Sequence, residues 1–455
     1  MREGLRDAAL GHTLQRATRT TLGARAAAVA AQPGWAGLRR RAAAIRGDAL
    51  ARLPALLEQL EERLCERGVT VHWAEDGVAA CRIIVDIAQA AGARRVVKGK
   101  SMASEEIHLG EALSKAGIAP VETDLGELIV QLAGQPPSHI TAPALHLSRR
   151  EIGAIFADEL GVPFTDDPDA LVAIAREHLR RELLEATVGV TGVNFAVAES
   201  GTLVLVENEG NIRLATTLPR VHVALMGIEK VVPRLADAAV LLRVLARSAT
   251  GQRATSYVSL LAGPRRGREA DGPEQVHVVL LDNGRSRLLA DAELRGSLAC
   301  IRCGACMNVC PVFQHVGGHA YGWTVPGPIG SVLGPALLGR AAAALPHGSS
   351  LCGACTAICP VGIDLHEMLL TLRGRTVRDR LRPWRERLAF RLWRLASSTA
   401  RRFALAGWLL RLAGRLGFLG TALRVLGWGP GRAAPALPSR TFRQRVSEVL
   451  EEREP

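Results

Sequence analysis

The sequence lacks any long apolar segment. No stretch of about 18 uncharged apolar residues occurs in its 455 residues, which excludes a conventional transmembrane helix. The first twenty residues place acids among arginines and contain no apolar run of signal-peptide length. We therefore expect a cytoplasmic protein that is not exported.

Aromatic residues and lysines are scarce, and the positive charge is confined to one end. Aromatics make up 4% of the chain. The formal net charge is +13. Residues 371–455 contain 19 arginines and six acids, whereas the first 370 residues are close to neutral. No recognised nucleic-acid-binding module accompanies this charge, so we expect no nucleic-acid partner.

Cysteine is almost absent outside one segment. Seven of the nine cysteines lie between Cys300 and Cys359. The other two, Cys65 and Cys81, stand alone inside helical patterns, and we expect both to be core residues. In a protein of a reducing compartment, clustered cysteines indicate metal ligands rather than disulfides.

The rest of the chain indicates a modular α/β protein. Residues 7–67 carry leucines at spacings of three and four, from Leu53 to Leu64, which predicts amphipathic helices. Short apolar strands then alternate with helices to about residue 290, which predicts a largely parallel sheet. One exception is the segment Val193 to Val206, where the turn residues 199–201 separate two apolar runs and predict a hairpin.

The first cysteine run has the spacing of bacterial ferredoxins. It is Cys300-x2-Cys303-x2-Cys306-x3-Cys310-Pro311. In this pattern three thiolates bind one cluster and the fourth binds another, so a second run must approach closely. That second run is Cys352-x2-Cys355-x3-Cys359-Pro360.

In this crossed arrangement the last cysteine of each run binds the cluster of the other run, which predicts two unequal ligand sets. One cluster takes Cys300, Cys303, Cys306 and Cys359, and the other takes Cys310, Cys352 and Cys355. Ser349 stands where a symmetrical second run would have an eighth cysteine. We favour two [4Fe-4S] clusters, the second with a non-cysteine fourth ligand: water, Ser349, a nearby histidine such as His347, or a partner. The alternatives are a [3Fe-4S] second cluster and zinc, whose usual paired ligands this pattern fits poorly.

The chain resembles the lactate utilization protein B family over nearly its whole length. The resemblance is carried by short motifs in a fixed order. They are VKGKSMASEEI (97–107), VETDLGE (121–127), PSHITAPALH (137–146), LDNGRS (281–286), CIRCGACMNVCPVF (300–313), GGHAYG (317–322), PGPIGSVL (326–333) and SSLCGACTAICPV (349–361).

This resemblance implies a LUD domain followed by a dicluster domain, and together with the residue patterns it predicts four regions. A helical region spans residues 1–68, and residues 69–292 form a lactate-utilization (LUD) α/β domain similar to the NagB/RpiA/CoA-transferase-like fold. A mainly helical dicluster ferredoxin-type domain spans residues 293–370. A basic helical region of residues 371–455 ends the chain.

The resemblance also implies a function. The family belongs to a complex that oxidises L-lactate to pyruvate, together with a cysteine-rich redox protein and a second LUD protein. We therefore expect an electron-transfer subunit without catalytic residues of its own. Two alternatives stay open: the LUD domain itself binds a small carboxylate or acyl substrate and is catalytic with the clusters as oxidant, or the chain is a structural hub.

Two of the four lysines, Lys98 and Lys100, flank a turn beside Ser101, where a strand passes into a helix. We consider these three residues a candidate anion site, since helix N-termini attract anions. The alternative is two ordinary solvated lysines beside a capping serine. His315 and His319 follow the first cysteine run, where they are candidates for hydrogen bonds to cluster sulfurs, or loop residues that pack the module.

The arginine-rich tail interleaves aromatic residues with arginines. These aromatics are Trp384, Trp393, Phe403, Trp408, Phe418 and Trp428. The pattern suits docking on partner subunits. It also suits peripheral contact with the inner face of an anionic membrane, or a helical face packed on the rest of the chain.

Overall fold

The computed structural model describes residues 4, 7–267, 269–415 and 441–451. The chain divides into two compact units, residues 1–373 and residues 374–455. The first contains the N-terminal helices, an α/β lobe and the cysteine-rich segment. The second contains the arginine-rich tail.

Three helices open the first unit, as the leucine spacing predicts. They are α1 (Ala8–Ala30), α2 (Trp35–Ala51) and α3 (Leu53–Glu66). Asp7 caps α1 by accepting a hydrogen bond from the Leu10 amide at 2.9 Å. The leucines of α3 from Leu53 to Leu64 are buried against the lobe.

Cys81 is buried as expected, but the prediction for Cys65 is wrong, since its side chain is exposed. Cys65 directly follows the buried Leu64 on α3. One residue turns an α-helix by about 100°, which carries Cys65 out of the apolar stripe.

Six parallel strands form the main sheet of the lobe. They are β1 (Thr70–Ala74), β2 (Arg95–Lys98), β3 (Ala119–Glu122), β4 (Val188–Gly192), β7 (Val221–Gly227) and β10 (Gln275–Leu281). Their order is β1-β10-β7-β4-β2-β3. Alternate residues of β10 enter different cores, Val278 on the side of α3 and Val279 on the other. Both faces are therefore covered, as a parallel sheet requires.

The described part of the lobe also contains nine helices. They are α4 (Gly77–Ala90), α5 (Met102–Glu106), α6 (Leu109–Lys115), α7 (Leu125–Leu132), α8 (Arg149–Leu160), α9 (Pro168–Glu185), α10 (Asn211–Thr217), α11 (Leu235–Ala249) and α12 (Arg285–Ala290). Ser101 caps α5 and Asp124 caps α7, as predicted. The α/β fold class is confirmed.

A second, four-stranded sheet contains the predicted hairpin. Its strands are β5 (Phe195–Val197), β6 (Thr202–Glu207), β8 (Val231–Val232) and β9 (Tyr257–Leu261), in the order β8-β5-β6-β9. β5 and β6 pair antiparallel around Gly201. Gly201 has φ +63, and a Cβ there would lie 2.9 Å from the carbonyl carbon of Arg63. This turn therefore requires glycine.

The cysteine-rich segment is mainly helical. Its helices are α13 (Ala305–Asn308), α14 (Phe313–Val316), α15 (Gly327–Leu338), α16 (Ala354–Ile358) and α17 (Leu365–Arg378). Phe313 and Met307 share one apolar core with Leu14 of α1 and Leu241 of α11. The segment, the lobe and the N-terminal helices are thus joined through a continuous core.

Arg46 of α2 lies at the centre of this junction and is 1% exposed. Its guanidinium donates to the carbonyls of Leu298 (3.0 Å) and Ala299 (3.3 Å), just before the first cysteine run. It also donates to the carbonyls of Val231 (3.1 Å) and Glu229 in the lobe. Burial is the largest influence on its pKa and lowers it to about 10, so Arg46 stays charged at neutral pH.

The second unit contains α18 (Trp384–Ser397), α19 (Ala400–Arg415) and α20 (Phe442–Glu451). α18 packs on α19, and α18 has no buried residue. The predicted aromatics Trp384, Trp393, Phe403 and Trp408 are exposed, while Phe418 and Trp428 lie outside the described residues. Among the helices the structure describes, none has the length and apolarity needed to cross a membrane.

We expect Arg46→Met to lower the free energy of unfolding by about 3 kcal/mol or more, because four buried carbonyls lose a charged donor. Chemical denaturation followed by circular dichroism under anaerobic conditions measures this loss. Arg52→Met is the control, since Arg52 is exposed at the end of the same helix and forms an exposed ion pair with Asp48. Equal denaturation midpoints for the two variants would contradict the role given to Arg46.

Candidate iron-sulfur centres and the adjoining cavity

Four of the seven clustered thiols line one small, largely aliphatic cavity. They are those of Cys300, Cys303, Cys306 and Cys359, the set predicted for the first cluster. Cys359 reaches the first run because α16 packs on α13. The structure brings these four thiols together, and their binding to iron stays a prediction.

The loop around this cavity supplies backbone donors to sulfur. The amide of Arg302 lies 3.4 Å from Cys300 Sγ, and the amide of Ile363 lies 3.4 Å from Cys359 Sγ. Arg302 itself has φ +58, so the loop turns tightly between the first two cysteines. Amide hydrogen bonds of this kind offset negative charge on cluster sulfurs and tune the reduction potential.

The chemistry of the four donors suits an iron-sulfur cluster. Burial raises the pKa of Cys306 well above its usual value, and the sulfurs of Cys300 and Cys303 raise it further. Metal loading must therefore displace protons from these thiols. Within the described ranges, no three histidines, cysteines or carboxylates converge as ligands of a single metal ion would. A cubane needs no such convergence, since its thiolates bind separate iron atoms.

The other three thiols form a second group, predicted for the second cluster. Cys310 and Cys355 are buried, while Cys352 is exposed. Burial first, and then the neighbouring sulfur of Cys310, raises the pKa of Cys355. The sulfur of Cys352 raises the pKa of Cys310 in the same way, so Cys310 interacts with Cys352 and with Cys355.

Tyr321 joins the two groups, and sequence reasoning gave it no role. Its hydroxyl hydrogen-bonds to the thiol of Cys310, and its ring is buried against Phe313. Burial first, and then the sulfurs of Cys310 and Cys306, raises the pKa of Tyr321, which keeps the hydroxyl protonated. A signal was available, because Tyr321 is one of only two tyrosines in the sequence.

The candidate polar residues near the second group have other hydrogen bonds. Ser349 Oγ accepts a bond from the Leu351 amide at 3.1 Å. The ring of His315 donates to the Pro311 carbonyl at 2.6 Å, and that of His319 to the Pro136 carbonyl at 2.7 Å. His347 lies in the short 3-10 segment just before Ser349. The identity of a fourth ligand stays a prediction.

A second cavity, of about 280 Å³, lies in the lobe. Gly192 and Gly227, the last residues of β4 and β7, line it, so it lies where these parallel strands end. Ligands of open α/β sheets bind at this edge. Arg302 lines both this cavity and that of the four thiols, so the two are adjacent. We call the larger one the carboxyl-edge cavity.

A buried ion network forms one wall of the carboxyl-edge cavity. Arg285 bonds to Glu229 at 2.7 Å and to Glu106 through two contacts of 2.9 Å. Burial alone would raise the pKa of Glu229, but Arg285, Lys230 and Arg302 together lower it to about 2. A Cβ on Gly227 would lie 2.1 Å from the Glu229 carboxylate, so this network requires glycine at that position.

The three residues of the predicted anion site have different surroundings. Lys98 is buried and paired with Glu122 and with Glu105 at 3.1 Å. Ser101 Oγ accepts a bond from the Ser104 amide at 3.2 Å and lines the carboxyl-edge cavity. Lys100 also lines that cavity, and its buried Nζ has no hydrogen-bond partner among the described residues.

Two further cations, Arg302 and Lys230, line the carboxyl-edge cavity. The sequence patterns did not indicate a role for either of them. Arg302 has a buried Nη1 with no hydrogen-bond partner in the described part of the chain. Burial lowers the pKa of Lys230 to about 8, although Glu229 and Cys300 oppose that shift. The available signals were the position of Arg302 inside the first cysteine run and the scarcity of lysine.

Two family models match the chain. A LUD domain matches residues 57–281, and a 4Fe-4S dicluster domain matches residues 296–363. The chain therefore contains a 4Fe-4S dicluster domain after a LUD domain.

Curated relatives match over most of the chain. Lactate utilization protein B of Bacillus velezensis is 48% identical over 368 residues, and that of Bacillus subtilis 46% over 368 residues. The uncharacterized electron transport protein YkgF of Escherichia coli is 46% identical over 365 residues. Each alignment covers 80% of this chain and 77% of the relative. A solved DUF162 family structure from Deinococcus radiodurans reaches a TM-score of only 0.27 at 16% identity, covering 50% of this chain and 98% of its own.

We expect Tyr321→Phe to lower the reduction potential of one centre and leave the other unchanged. The variant removes a hydroxyl hydrogen bond to Cys310, and hydrogen bonds to cluster sulfurs raise the potential. A redox titration followed by EPR measures both centres. Tyr257→Phe is the matched control, because Tyr257 lies on β9 and its side chain is exposed. Unchanged potentials in Tyr321→Phe would contradict this account.

Proposed function

Since the chain belongs to the lactate utilization protein B family, we propose that it is the iron-sulfur electron-transfer subunit of a complex that oxidises L-lactate to pyruvate. Oxidation of a hydroxy acid to an oxo acid releases two electrons and two protons. Two one-electron centres in one chain suit the stepwise passage of those electrons. We propose two [4Fe-4S] clusters, the second with a non-cysteine fourth ligand.

One observation carries this proposal: each cysteine run contributes to both thiol groups. Cys306 faces one group and Cys310 the other, and they are separated by only three residues around the end of α13. Tyr321 interacts electrostatically with both sulfurs. Two centres held this way are close neighbours, which is what transfer between them requires.

A pure hub role explains less. A structural cluster needs only to hold the chain together, and it needs neither a second centre beside it nor a buried hydroxyl bonded to a ligand sulfur. The hub role would require clusters that cannot be reduced at any accessible potential. The catalytic alternative for the lobe rests on the carboxyl-edge cavity, which has its own test below.

The proposed partners are a cysteine-rich redox protein and a second LUD protein. We propose that the arginine-rich tail docks on them, since α18 and α19 expose Trp384, Trp393, Phe403 and Trp408 among arginines. Peripheral contact with the inner face of an anionic membrane is the alternative for the same surface. The proposed location is accordingly cytoplasmic.

We expect Cys303→Ser to abolish lactate oxidation by the reconstituted three-protein complex, because one centre loses a buried ligand and the transfer route is interrupted. Lactate-dependent reduction of an artificial acceptor measures the activity. Cys65→Ser is the control, since Cys65 is exposed on α3 and lies outside the cysteine-rich segment. The chain alone should have reducible clusters and no lactate oxidation. Full activity of Cys303→Ser in the complex would refute the electron-transfer role.

A further inference from the structure

The carboxyl-edge cavity contains cationic groups that the protein itself does not satisfy. Lys100 Nζ and Arg302 Nη1 are buried and have no hydrogen-bond partner among the described residues. Lys230 lines the same cavity. Buried cations without partners are costly, so proteins rarely keep them without a compensating ligand or role.

We propose that the carboxyl-edge cavity binds a small monocarboxylate that carries a hydroxyl or oxo group, with Lys100 and Arg302 as the groups that hold its carboxylate. Lysine and arginine form strong charge-assisted hydrogen bonds with carboxylates. Lys230 adds positive charge beside them. The choice of hydroxy and oxo acids rests on the proposed function. The anion site itself rests on the unpartnered Lys100 Nζ and Arg302 Nη1.

The acids around the cavity are already engaged. Glu207 accepts bonds from the amides of Ile212 (2.6 Å) and Arg213 (2.9 Å), and Glu209 accepts one from Leu125 at 3.0 Å. Asp124 caps α7 through the Glu127 amide. Glu106 and Glu229 hold Arg285. Arg302 acts electrostatically on Glu229, and Lys100 on Glu209. Among the described residues, however, none of these carboxylates hydrogen-bonds to Lys100 Nζ or Arg302 Nη1.

The negative charge of the first cluster offers a competing explanation for two of the three cations, Arg302 and Lys230. Arg302 follows Cys300 by two residues, and Lys230 interacts electrostatically with Cys300, so both suit that explanation. Lys100 instead acts on Glu127, Glu209 and His139. Burial first, and then Glu122, raises the pKa of Glu127 to about 8, which favours its neutral form at pH 7. Burial raises the pKa of Glu209 to about 6, so Glu209 stays mostly ionised at pH 7, but it accepts a hydrogen bond from the Leu125 amide and none from Lys100.

The size and charge of the cavity select the class of ligand. Its volume of about 280 Å³ is at or below the lower end of typical small-molecule pockets, which favours a ligand of few atoms. Five carboxylates line it, and these repel a doubly charged phosphate more than a singly charged carboxylate. Asp124 and Glu209 also offer acceptor oxygens for a ligand hydroxyl.

Isothermal titration and thermal unfolding of the anaerobically purified full chain test the site with three probes: L-lactate, pyruvate and inorganic phosphate. We expect L-lactate or pyruvate to bind with one-to-one stoichiometry and to raise the unfolding midpoint. Lys100→Met should weaken that binding by about tenfold or more. Without ligand, Lys100→Met should unfold at the same or a higher temperature than the wild type, because it removes an unpartnered buried cation.

Lys115→Met is the matched control, since Lys115 lies on the exposed face of α6 and pairs weakly with Glu111 at 3.9 Å. It should bind as the wild type does. Equal carboxylate affinity in Lys100→Met would overturn the site, and so would the absence of binding by every probe. Binding of phosphate without either carboxylate would overturn the ligand class.

EPR of the same samples separates this proposal from the electron-transfer role. Clusters that are reduced normally in a chain that binds no carboxylate would refute only the cavity. Clusters that resist reduction would refute the electron-transfer role, whatever the cavity binds.

Discussion

The burial of Arg46 is the interaction on which the rest of the structure depends. Its guanidinium bonds to carbonyls of the lobe and to those of Leu298 and Ala299, which lead into the first cysteine run. Helix α2 of the N-terminal region therefore joins the cysteine-rich segment to the lobe. The arrangement also explains why the first 373 residues form one compact unit, although three regions are distinguishable in the sequence.

That junction places the first cysteine run beside the sheet edge at which β4 and β7 end. Arg302 borders the thiol cavity on one side and the carboxyl-edge cavity on the other. A ligand at the sheet edge and a cluster held by the four thiols would therefore occupy adjoining cavities. The proposed carboxylate site is lined by residues of the lobe and by Arg302 of the cysteine-rich segment. Its position therefore depends on how the lobe and the cysteine-rich segment are joined.

Features set by local spacing could be predicted from the sequence. The helix caps at Ser101 and Asp124, the hairpin around Gly201 and the grouping of the cysteines all follow from patterns within a few residues or from one established motif. The surroundings of Lys98 and Lys100 could not be predicted in this way. They are two residues apart, yet Lys98 meets Glu122 from a neighbouring strand while Lys100 faces a cavity built from distant segments. Contacts of this kind depend on how the chain folds back on itself, which short motifs do not encode.

We propose that seven thiols in two crossed groups hold two iron-sulfur clusters. Anaerobic iron and acid-labile sulfide analysis of the purified full chain, combined with EPR, tests it most directly. The account predicts about eight irons per chain, as two cubanes require. A content of about four irons, or zinc in place of iron and sulfide, would contradict it.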